Sequence, residues 1–169
     1  IQSMMNIIVL MGKPEGGLRP IALMPMLYRI WSKARRQYLI SWEAQNESRW
    51  DAAVRGSSDV RAAIVGTLFD EATSYKDDSI ATVLWDMEKF CDNINIVKLI
   101  KVAAAIDYPT RLIALGLQMH MAPRVIRAGA AYALAELPSN GIIAGCLQSN
   151  ALARGFLHDV MRVACTAGT

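Results

Sequence analysis

The sequence is poor in the residues that would mark a metal-binding or disulfide-stapled chain. It has only two histidines, His120 and His158, and three cysteines, Cys91, Cys146 and Cys165, with no Cys-x-x-Cys pair. That spacing indicates neither a zinc site nor a disulfide framework, and it suits a reducing compartment. No uncharged apolar run reaches the roughly 18 residues that a membrane span needs. The first residues lack a basic segment and an Ala-x-Ala cleavage site, so no signal peptide is read there. An initiator Met is missing too, so the chain reads as a piece of something longer. Charge is sparse, at 20% of residues, while hydrophobic residues make up 53% of the 169. That balance excludes a disordered chain and supplies a sizeable core.

The net charge of +3 is unevenly spread. Residues 1–42 hold six basic residues and one acid. Residues 43–95 hold five basic and eleven acidic residues, and residues 96–169 hold seven and three. A basic front suits polyanions such as phosphates or nucleic acid. The acidic middle would repel a bare polyanion unless cations sit there. The same charges also describe ordinary solvated helix faces.

Hydrophobic periodicity gives an order of elements. Asn6–Met11 and Leu18–Leu23 flank the Lys13–Gly17 turn and predict a hairpin with Lys13 and Arg19 near its tip. Met26 to Glu47 predicts one helix, with Leu27, Ile30, Trp31, Ala34, Tyr38 and Trp42 on one face and Arg29, Lys33, Arg36 and Gln37 on the other. Gly56-Ser57-Ser58-Asp59 predicts a capped helix running to about Ser74, with Val60, Ile64, Leu68 and Phe69 inward. Ile80–Trp85 reads as a buried strand that stops at Asp86. Asp92 and Asn93 are candidate caps for a helix carrying Ile96, Leu99, Ile100 and Ala103. Thr110–Met121 is a further helix, Arg124–Tyr132 a weak strand, and Gln148–Val163 the last helix. The order is α+β with separated elements.

Asp86 is the most informative position. A carboxylate is poor strand material. At the end of a buried strand it faces a cleft, where it can hold a hard cation through oxygen, with the Met87 carbonyl as a second donor. It can equally just end the strand and cap the next turn. His120 and His158 lack partners at metal spacing and read as packed or surface residues. Trp31, Trp42 and Trp50 read as core, with base stacking as the alternative.

The stretch Leu84-Trp85-Asp86-Met87-Glu88-Lys89-Phe90-Cys91-Asp92-Asn93-Ile94 resembles the first catalytic motif of reverse transcriptases, those of non-LTR (LINE-type) retrotransposons and their group II intron relatives. Lys13 with Gly16-Gly17-Leu18-Arg19-Pro20-Ile21 is similar to the fingers hairpin of that family. Gly141-Ile142-Ile143-Ala144-Gly145-Cys146-Leu147-Gln148-Ser149-Asn150 is similar to its later Gly-x-x-Gln-Gly-x-x-x-Ser-Pro motif. Gly56-Ser57-Ser58 falls where such enzymes carry a Gly-x-Ser/Thr loop. Four collinear strings cover nearly the whole chain.

The resemblance implies a right-hand polymerase fold, with about residues 1–75 as fingers and about 76–169 as an incomplete palm. It implies an RNA-directed DNA polymerase working with two Mg²⁺ ions, an RNA template, a DNA primer and deoxynucleotide triphosphates. Asp86 would be the catalytic metal ligand, helped by Met87. Lys13 and Arg19 would hold the triphosphate. Phe90, Cys91, Gly145 and Ser149 would border the nucleotide, and Arg29, Lys33 and Arg36 would meet template backbone. Cys91 stands where the family has Phe or Tyr, Ala144 where it has Gln, and Asn150 where it has Pro. No Tyr-x-Asp-Asp hairpin is present, so one of three expected carboxylates is, and this piece alone would be inactive. Flanking domains of a longer polyprotein, no membrane and an intracellular setting, nucleus or cytoplasm, are expected. A catalytically dead relic that binds nucleic acid and a helical interaction module are the competing readings.

Overall fold

A computed structural model describes residues 4–47, 51, 56, 58–76 and 87–166, with the side chains of 165 and 166 excepted. The Ile80–Trp85 strand, Asp86 and Trp50 lie outside the described residues. The chain is mixed α+β and divides into two compact units, one of residues 1–46 and 89–169, the other of residues 47–88.

The first unit is built on one four-stranded mixed sheet. Strands β1 (Asn6–Gly12) and β2 (Leu18–Leu23) form the antiparallel hairpin expected from the Lys13–Gly17 turn, with Val9 opposite Ile21. Gly16 and Gly17 both take positive φ, which lets the turn close without Cβ strain. β3 (Arg124–Ala128) lies parallel to β1 with Arg124 opposite Asn6, and β4 (Ala131–Tyr132) folds back on β3. The order is β2-β1-β3-β4. The expected single strand from 124 to 132 is therefore two, because Gly129 at φ 62° makes a tight turn.

The helices run α1 (Met26–Ala34), α2 (Arg36–Gln45), α3 (Asp59–Ser74), α4 (Phe90–Asn93), α5 (Ile96–Ala105), α6 (Thr110–His120) and α7 (Ser149–Thr166). The expected helix from Met26 to Glu47 breaks at Arg35, whose φ of −97° and ψ of 2° are not helical. The break resets the phase. Tyr28, Ser32, Leu39 and Trp42 turn inward, while Leu27, Ile30 and Tyr38 are exposed. Hydropathy missed this because two of the four buried residues carry hydroxyls.

Asn95, not Asp92 or Asn93, caps α5: its side chain accepts a hydrogen bond from Lys98 N at 2.9 Å. Asp92 and Asn93 are taken up in the extra turn α4. α5 ends with Asp107 at φ 51°, Tyr108 N donating to Ala103 O and Asp107 N to Ala104 O. This left-handed cap drives Tyr108 into the core. There it packs edge-on against Trp42, with Leu99, Ala103, Leu112, Ile142, Ala151 and Leu152 around them. Trp42 Nε1 donates to Ile106 O, so burying the indole leaves no orphan donor. Gly155 lets α7 approach α5; a Cβ there would sit 2.9 Å from Ile106 Cδ1.

In the second unit, Ser58 Oγ accepts from Arg61 N and caps α3 as its sequence suggests. The inward face expected for this helix is not found: Val60, Ile64, Leu68 and Phe69 are all more than half exposed. Periodicity identifies an apolar stripe but not what covers it.

Candidate functional site

Two stretches far apart in sequence are joined through their backbones. Gly141 N donates to Ile94 O at 2.9 Å, and Ile142 N donates to Cys91 O at 2.8 Å. Gly141 adopts φ 86°, and a Cβ on it would lie 2.7 Å from Asp92 O. Only glycine permits this approach. Lys89 opens the α4 turn in the left-handed region, at φ 48° and ψ 39°. A non-glycine residue there carries about 1 kcal/mol of strain or more, the kind of cost that collects at functional sites.

Ile143 is held at both ends of its peptide. Its N–H donates to His120 Nδ1 at 2.9 Å, and its carbonyl accepts from Ser149 Oγ. His120 is fully buried, and its pKa is lowered to about 4, by burial first and by Arg124 second. The ring is therefore neutral and free to accept. Arg124 Nη2 in turn donates to His120 O at 3.1 Å. Burial lowers the Arg124 pKa, and the Asp92 carboxylate works against that shift.

Beneath the loop lies a buried polar cluster. Gln148 Nε2 donates to Tyr28 Oη at 3.2 Å, and Tyr108 Oη donates to Gln148 Oε1 at 3.1 Å. Tyr28 Oη also lies 3.2 Å from Cys146 Sγ. Burial raises the pKa of both phenols far above the ordinary tyrosine value. They remain neutral donors, as a satisfied buried network requires.

Above the loop is a cavity of about 590 Å³. Lys89, Phe90, Cys91 and Asp92 form one wall, Ile142, Ile143 and Ala144 another, and Ile8, Pro20 and Ala22 of the hairpin a third. Arg124 and Glu136 add one charge of each sign. Phe90 also packs edge-on against Phe156, 6.3 Å between centroids, so its ring is anchored on α7. Burial, then Asp92, pushes the Cys91 thiol up, which favours its neutral form. On the other side of the loop is a cleft of about 560 Å³ lined by Arg29 and Lys33 of α1 and Arg36 of α2, with Gly145 and Leu147. Among the described residues no carboxylate lines it.

The residues singled out from sequence are thus distributed. Phe90 and Cys91 line the cavity, and Gly145 lines the basic cleft. Lys13 and Arg19 are exposed on the hairpin, but neither lines the cavity; Pro20 and Ala22 do. Ser149 is buried under the loop, and Met87 is 47% exposed. Asp86 falls outside the described residues. Sequence reasoning overlooked Tyr28, Tyr108 and Gln148, and took His120 as a packed or surface residue. The only advance signal was a glutamine inside the Gly141–Asn150 string.

Among the described residues no three His, Cys, Asp or Glu side chains converge as a metal site. No described helix is long and apolar enough to cross a membrane. No family model matches the chain, and no curated protein matches it either.

Proposed function

We propose that the chain is the fingers and first part of the palm of a reverse transcriptase of the non-LTR retrotransposon kind, in which Asp86 is a metal ligand for nucleotidyl transfer. One observation carries the reading. The wall that follows Asp86 (Lys89–Asp92), the glycine-bearing loop (Ile142–Ala144) and the hairpin (Pro20, Ala22) border one cavity. These belong to three of the four strings whose collinearity suggested the family, and nothing in their sequence separation requires them to meet.

The oxygen donors suit a hard divalent ion by their chemistry: the Asp86 carboxylate and the carbonyl of Met87, an exposed residue. Mg²⁺ bound there would activate a primer 3′-hydroxyl and neutralise charge on the departing pyrophosphate. The protein's own groups do the positioning. Lys13 and Arg19 hold the triphosphate, the guanidinium bidentately. Phe90 and Cys91 flank the sugar. The Gly141–Ile143 backbone, fixed by His120 and Ser149, supports the incoming nucleotide. The cleft of Arg29, Lys33 and Arg36 attracts the template backbone without reading its sequence. The partners are an RNA template, a DNA primer and deoxynucleotide triphosphates, with this piece working inside a longer protein.

Cys91, Ala144 and Asn150 depart from the family pattern and favour a second reading, a nucleic-acid-binding relic without catalysis. Primer extension by the longer protein on an RNA template with Mg²⁺ decides. Incorporation that vanishes in Asp86→Ala supports the polymerase. Incorporation that survives in Asp86→Ala refutes the assignment. Salt-dependent hybrid binding with no incorporation supports the relic.

A further inference from the structure

A third cavity, of about 350 Å³, opens where α1 breaks into α2 beside the first turn of α6. It shares no lining residue with the other two. Two aromatic rings, Trp31 and Tyr38, and two guanidinium groups, Arg35 and Arg111, form its walls; among the described residues no carboxylate lines it. Trp31 is held by stacking on Tyr28 at 5.9 Å, and Arg35 Cζ lies 6.0 Å from the Tyr38 ring centroid. The Arg35 turn that upset the expected single helix is what puts these four side chains around one opening.

We infer that this cavity is a subsite for a nucleobase together with its phosphate. Flat aromatic walls offer a base face a stacking energy of about 1–3 kcal/mol. The two guanidiniums offer planar, bidentate donors to phosphate oxygens. Arg111 also sits in the first turn of α6, whose dipole end adds positive potential. A bare phosphate would leave the rings unused, and the volume lies within the roughly 300–1,000 Å³ range of ligand pockets. An uncharged aromatic compound would leave both cations without a partner. The same chemistry is presented by a free nucleoside phosphate and by one unit of a single strand. The subsite does not depend on Asp86 or on any transfer step.

The test is binding by the full chain of AMP, ATP and a labelled 12-nucleotide single strand, read by fluorescence. Arg111→Gln and Arg35→Gln are each expected to weaken binding about tenfold, the scale of one charge-assisted bond. Tyr38→Ala should weaken it severalfold, and Tyr38→Phe should restore it. Lys101→Gln, an exposed cation outside all three cavities, should leave it unchanged. Binding of AMP with this pattern identifies free nucleotide as the ligand; the pattern with the strand alone identifies a strand unit. Three results overturn the inference: no binding of any probe, equal loss in Lys101→Gln, or an abasic strand bound as tightly as the normal one. Asp86→Asn should keep this binding whether or not it abolishes incorporation, which separates the fate of the subsite from that of the polymerase reading.

Discussion

Gly141 and Asp92 touch backbone to backbone: a Cβ at residue 141 would sit 2.7 Å from Asp92 O and 2.9 Å from Asp92 Cα. This contact, with the two hydrogen bonds beside it, makes one wall out of segments some fifty residues apart.

Gly141→Ala should therefore cost more than left-handed strain alone. Gly145 is the internal control, since it has a similar φ of 88° but nothing within 4 Å of its Cβ position. Gly145→Ala should lose about 1 kcal/mol, the conformational penalty. Gly141→Ala should lose roughly 2–4 kcal/mol, because backbone must also move. Urea unfolding of the two variants checks this, and equal losses would refute the close contact.

His120 predicts a pH dependence of stability. Its folded pKa, about 4, lies below the ordinary histidine value of 6.5. The unfolded chain takes up a proton near pH 6.5, and the folded chain resists until about pH 4. This contribution is complete above pH 6.5, falls as pH drops towards 4, and levels off below. Its size is roughly 3 kcal/mol. His120→Gln should flatten the curve between pH 6.5 and 4. Urea midpoints at pH 7, 5.5 and 4.5 for both proteins measure it, and parallel curves would contradict the buried neutral ring.

The Gln148 cluster predicts coupling. Tyr108→Phe deletes one donor to Gln148 Oε1, and Tyr28→Phe deletes the acceptor of Gln148 Nε2. Each should cost about 1–3 kcal/mol, because each leaves a buried polar atom unpaired. The double variant should cost less than the sum, since both act through one amide. Strict additivity in a double-mutant cycle would show that the residues are not joined.

What the sequence disclosed follows from which signals are local. The hairpin was readable because its turn residues and alternating strands lie within eighteen positions. The capped start of α3 was readable at Ser58 for the same reason. The break at Arg35 was not, since no glycine or proline marks it. Nor was the burial of Tyr28 and Gln148: hydropathy places hydroxyls and amides outside, and only their mutual hydrogen bonds make burial affordable. For the site, the strings at 84–94 and 141–150 were legible as chemistry, but the joining of Cys91 and Ile94 to Gly141 and Ile142 depends on non-local backbone pairing. His120 shows the limit most clearly. It was discarded because no ligand partner stood nearby, and its actual role is to accept one peptide N–H.

Asp86 gives the decisive prediction. The carboxylate is proposed to face metal and water, so folding should not depend on its charge. Asp86→Asn keeps the shape of the side chain and removes one hard, charged donor. In the longer protein, incorporation should fall about a thousandfold, the equivalent of several kcal/mol of charge stabilisation. Unfolding free energy should change by no more than about 0.5 kcal/mol, as for a substitution outside the core. Primer extension and thermal melting on the same preparations give both numbers. A large loss of stability would assign Asp86 a capping role. Unchanged incorporation would remove it from the chemistry, and the polymerase reading with it.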